Sequence, residues 1–157
     1  MALKWLGTQL WLTVDPPPMA ARFVETTAPC EAARVAVAEV LPALKLDLGL
    51  DAVTVKWFRP ETAERKHYRV STGSTAWHTF EGEAGLKGQC RGSAPEEIWV
   101  RADLDALDAA ETLGHELQHS KHYTAFIAGT AEMPNGDEGE QAALDYGKAV
   151  RAALLAD

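Results

Sequence analysis

Residues 5–14 are apolar at most positions, and three consecutive prolines, Pro16 to Pro18, follow them. Proline fixes φ and lacks an N–H donor, so this pattern predicts one extended strand that stops there. Thr27 is suited to cap a helix with Pro29 in its first turn. Val35, Val37, Val40, Leu41 and Leu44 then supply an apolar helix face, and Gly49 a stop. Residues 52–58 (AVTVKWF) are β-branched and aromatic and predict a strand ending at Pro60. Short strands are expected at 67–71 and 75–80 about a turn at Gly73. Residues 81–95 hold Gly82, Gly85, Gly88, Gly92 and Pro95 and read as a loop, and 97–101 (EIWVR) read as another strand. Trp5, Trp11, Trp57, Trp77 and Trp99 fall mostly in these strands, where core packing is the default role.

The last third changes period. Leu104, Leu107, Ala110, Leu113, Gly114, Leu117 and Lys121 recur at helical spacing, with Asp103 or Asp105 placed to cap the start and an end expected near Gly129. Residues 133–136 (MPNG) read as a turn, and 138–155 as a second helix with Ala143, Tyr146, Val150 and Leu154 on one face. The expected fold is α+β: an N-terminal helix and a small mixed or antiparallel sheet packed on two C-terminal helices.

The 157 residues, 46 % hydrophobic and 24 % charged, suit one globular domain over residues 1–157. No apolar run approaches the ~20 residues that cross a bilayer. The net charge of −8 argues against general nucleic-acid binding, which relies on Lys and Arg neutralising phosphates. Acids concentrate between residues 103 and 145, where Lys121 is the single base. Two cysteines, Cys30 and Cys90, are too few for a disulfide scaffold and read as reduced thiols. Gly7, Thr8, Gln9 and Thr13 interrupt the apolar start, unlike a signal peptide, so a cytoplasmic location is expected.

The chemistry lies in His115-Glu116-Leu117-Gln118-His119, an HExxH motif inside the first C-terminal helix. Residues four apart stack on one helix face, so both imidazoles can bind one ion. Glu116 points into the adjacent space, where it can take a proton from water activated by the metal. A catalytic zinc usually has three protein ligands and an open position. His122 lies on the same face, but the run from His115 to His122 covers about 10 Å of helix, too far for one small ion, so His122 flanks the site. The metzincin pattern is excluded, because His122 and Ala125 stand where its glycine and third histidine would be.

A carboxylate from the second helix is the better third ligand. Asp137, Glu138, Glu140 and Asp145 are available. Glu140 is favoured because Ala143 and Gly147 follow it one and two turns on, and a small face lets two helices approach; Glu138 is the runner-up.

HExxH followed about twenty residues later by Glu on a second helix resembles the gluzincin arrangement. Glu140-x-x-Ala143-x-x-Tyr146-Gly147 is similar to the small ImmA/IrrE-like metallopeptidases, although Leu144 stands where they often carry Asn or Asp. The resemblance covers about residues 97–150. It implies a minimal zincin-like metallopeptidase domain, with His115, His119 and Glu140 as Zn2+ ligands and Glu116 as general base. It also implies a protein or peptide substrate, extended along a sheet edge at 97–101.

The expected function is therefore zinc-dependent peptide-bond hydrolysis. The alternative is a zinc-stabilised binding or regulatory module with little or no hydrolysis. Tyr123, His122, Tyr146, His78 and Arg91 are candidates to stabilise an oxyanion, and Glu111 and Asp145 to hold the free nitrogen of a ligating histidine. Spacing selects none of them.

Overall fold

The structure is a computed structural model that describes residues 2–6, 9–14, 25, 28–59, 63–69, 74–80 and 87–156. In chain order the elements are β1 (Ala2–Leu6), β2 (Gln9–Val14), α1 (Glu31–Leu48), β3 (Thr54–Phe58), β4 (Ala63–Arg69), β5 (Ser74–Phe80), β6 (Gly88–Arg91), β7 (Ala94–Arg101), α2 (Ala106–Ile127) and α3 (Gly136–Ala156). They group into two compact units, Met1–Val24 with Pro60–Leu86 and Glu25–Arg59 with Lys87–Asp157, where the sequence reading places one domain over 1–157.

The first unit is a four-stranded antiparallel sheet in the order β1-β2-β4-β5. The single strand expected over 5–14 is instead two strands, with Leu6 opposite Gln9. The strands expected at 67–71 and 75–80 are β4 and β5, paired with Tyr68 opposite Thr75. The expected turn residue Gly73 and cap Thr27 lie outside the described residues.

The second unit is α+β, as the pattern of the chain indicates. Its sheet has the order β3-β7-β6, with β3 parallel and β6 antiparallel to β7. Alternate residues of β7, Ile98 and Val100, are fully buried and share a core with Leu113 and Leu117 of α2 and Ala33 and Val37 of α1. Each such large aliphatic side chain contributes about 1.5–3 kcal/mol by leaving water. Helix α1 begins after Pro29 rather than around it, because Cys30 is extended and its N–H donates to Ala102 O at 2.8 Å. It stops at Gly49, whose φ of 68° is the left-handed conformation that glycine adopts without strain.

Two corrections fall on the sheet. Residues 88–91 form β6, inside the segment read as a loop. Strand β7 is central and paired on both sides, so 97–101 offers no free edge; β6 is the terminal strand beside α2. Among the described residues, no helix is long and apolar enough to cross a membrane.

Candidate metal centre

The HExxH helix is fixed at its start by Asp105, whose side chain accepts the Asp108 N–H at 2.8 Å. Asp103, the other expected cap, pairs with Arg101. Helix α3 begins at Gly136, two residues before the expected start, because Asn135 Oδ1 accepts the Glu138 N–H at 2.8 Å. The two helices then meet on small residues. A Cβ on Gly147 would lie 2.8 Å from Glu111 O and 3.4 Å from His115 Cβ, and one on Gly114 would lie 2.9 Å from Val150 Cγ2. The close approach expected from Ala143 and Gly147 is therefore present, and both residues are buried.

This contact carries Glu140 to the histidines. Its Oε1 lies 3.2 Å from His115 Nε2, its Oε2 lies 3.1 Å from His119 Nε2, and the two ring nitrogens are 3.2 Å apart. Donors at zinc distances of roughly 2.0–2.1 Å in a tetrahedron stand about 3.3–3.4 Å from one another. Two nitrogens and a carboxylate also match the donor set that zinc accepts. The three residues present thus fit one such ion. Among the described residues, His115, His119 and Glu140 are the group whose ligand atoms converge in this way; Glu138 does not join it. The histidines are recessed, with side chains 19 % and 21 % exposed, while Glu140 is 52 % exposed, so the group opens on the Glu140 side.

Glu116 sits behind the histidines, 7 % exposed, with Oε1 4.0 Å from His115 Nε2. Burial, with the Glu140 charge beside it, pushes its carboxyl up to about 8, against the lowering effect of the Cys90 backbone N–H that bonds it. Strand β6 crosses so close to α2 that a Cβ on Gly88 would lie 2.5 Å from Thr112 Cγ2 and 3.1 Å from Glu116 Cγ. Burial is also the main reason that the His115 ring is held below its ordinary pKa, which favours the neutral, ligating form. Ser120, fully buried, ties α2 to β7 by donating to Pro95 O at 2.6 Å.

The remaining candidates separate by their partners. His122 Nε2 lies 3.0 Å from Gln118 Nε2 and outside the ligand group. Tyr146 donates to Asp47 at 2.8 Å, and Arg91 to Glu97 at 3.1 Å. Glu111 accepts from Arg151 at 3.2 Å and Asp145 from Gln141 at 2.8 Å, and among the described residues neither makes a hydrogen bond to a ring nitrogen of His115 or His119. His78 lies in β5, and its side chain falls outside the description. Cys30 and Cys90 are both free. Sequence reading missed the Cys90 N–H and Gly88, whose roles depend on a strand hidden in a glycine-rich segment. No protein-family model, curated protein or solved structure matches the chain.

Proposed function

We propose that this chain hydrolyses peptide bonds as a minimal gluzincin-type zinc metallopeptidase, with His115, His119 and Glu140 as ligands and Glu116 as general base. The observation that carries the reading is the convergence of three ligand atoms on one point with a buried carboxyl next to them. Zinc held there would supply Lewis acidity and a bound water acidified toward a pKa of about 7.

Glu116 fits the base in position and environment. It is close to the ligand group without belonging to it, and the Cys90 N–H fixes its carboxylate. The form that would accept a proton from water and return it to the leaving nitrogen is the carboxylate, which the positive charge of a zinc held beside it would favour. The terminal strand β6 supports an extended peptide as substrate, since an edge strand can pair with one. The net charge of −8 and the free cysteines support a cytoplasmic protein acting on proteins or peptides rather than on nucleic acid.

The test is cleavage of a mixed peptide library by zinc-loaded protein, read by mass spectrometry, beside Glu116→Gln. Cleavage by the wild type, and none by a variant that retains zinc, is expected. Equal cleavage by both rejects Glu116 as base. No cleavage by zinc-loaded wild type leaves the zinc-stabilised module.

A further inference from the structure

Of the five candidates to stabilise an oxyanion, four are committed elsewhere or lie outside the description, and one is not. Tyr146 donates to Asp47, Arg91 to Glu97, and His122 faces Gln118. The Tyr123 hydroxyl makes no hydrogen bond among the described residues, yet its ring is half-buried and packed on the core. We propose that Tyr123 is a catalytic residue of the site, its hydroxyl donating a hydrogen bond to the substrate carbonyl oxygen as negative charge develops there. This rests on the peptidase reading above.

The placement follows from helix geometry. Relative to His115, successive positions rotate by about 100°, which puts His119 at about 40°, Tyr123 at about 80° and Glu116 at about 100°. Tyr123 therefore lies on the strip between a ligand and the base, one turn beyond His119. Side chains on a helix lean toward its N-terminus, so a tyrosine at 123 reaches back over His119. The two rings agree with this, 6.5 Å apart between centroids and tilted by 31°.

The hairpin between β6 and β7 holds the ring from the other side. A Cβ on Gly92 would lie 3.3 Å from Tyr123 Cε1 and 3.4 Å from Cδ1, so the bare backbone there leaves the space that the ring edge uses. A ring packed between the hairpin and α2 has few orientations, and a donor fixed in advance costs little reorganisation when charge appears. A tyrosine hydroxyl, with an ordinary pKa of about 10, is a donor at neutral pH.

Tyr123→Phe removes the hydroxyl and keeps the ring. The probe is N-phosphoryl-leucinamide, whose tetrahedral phosphoryl group imitates the charged centre, titrated by calorimetry into zinc-loaded protein. Zinc affinity measured by chelator competition should be the same in both proteins. The phosphoryl compound should bind Tyr123→Phe at least about tenfold more weakly, in keeping with the loss of one hydrogen bond to a charged group. In peptide cleavage, kcat should fall by about 100-fold or more with KM little changed, as for other single oxyanion donors. Equal binding of the phosphoryl compound by both proteins overturns the role of Tyr123 and leaves the peptidase reading standing. Failure of the compound to bind zinc-loaded wild type overturns the peptidase reading, and the Tyr123 assignment with it.

Discussion

His115 and His119 point their Nε2 atoms at each other across 3.2 Å, and Glu140 faces both. Two neutral ring nitrogens at that distance can share only one proton, and the carboxylate offers none when ionised. Neutral Nε2–H tautomers of the two rings would each donate to one Glu140 oxygen. In the proposed zinc site a shared cation would take the place of those two protons and be met by all three side chains at once.

The carboxylate's identity can be tested by substitution. Glu140→Ala should lower zinc affinity by more than the about 10–100-fold that accompanies loss of an outer-shell partner, whereas Glu138→Ala should leave it within about threefold. Chelator competition measures both. The reverse order would move the third ligand to Glu138.

Helix apposition should matter as much as the ligands. Gly147→Ala places a methyl 2.8 Å from the Glu111 carbonyl oxygen, and backbone there cannot swing aside. Overpacking of this kind costs about 1–3 kcal/mol, against about 1 kcal/mol of helix propensity gained. The denaturation midpoint and zinc affinity should fall together. Gly136→Ala meets nothing within 4 Å and should change neither.

Glu116 gives the metal-free protein a pH signature. Its folded-state pKa, about 8, lies above the ordinary carboxylate value of 4.5. Between those values the native state holds a proton that the unfolded chain has lost, so this residue's contribution to stability falls as pH rises through the window. Chelator-treated wild type should lose stability from pH 5 to pH 8 by a few kcal/mol relative to Glu116→Gln. Parallel stability curves for the two proteins would show that the carboxyl is not buried as described.

The two thiols should differ in reactivity. Cys90 is buried and its thiol is pushed up to about 12, chiefly by burial, while Cys30 is exposed. Thiolate is the reacting form, so a disulfide reagent at pH 8 should modify one cysteine in the native protein and two after denaturation. Rapid modification of both in the native state would contradict the buried position of β6.

The helices were legible because their information is local. The spacing of His115 and His119 stacks them at any helix, and Ala143 with Gly147 marks a face narrow enough for a neighbour. Asn135 reads as turn material although its side chain starts α3, since turn and cap residues are the same types. Strand β6 was not legible. Gly88 looks like loop punctuation, but it is small because Thr112 and Glu116, some 24 and 28 residues later, occupy the space its Cβ would need. The grouping of strands into two units was hidden for the same reason: composition does not change where Arg59 gives way to Pro60, and only the pairing of β2 with β4 reveals it.

The most direct measurement is the zinc content of metal-depleted protein after it is resupplied with zinc and dialysed, determined by elemental analysis. One zinc per chain is expected for the wild type, and a small fraction of that for the double variant His115→Ala/His119→Ala. No zinc retained by the wild type, or equal zinc in both proteins, would contradict a shared ion at His115, His119 and Glu140.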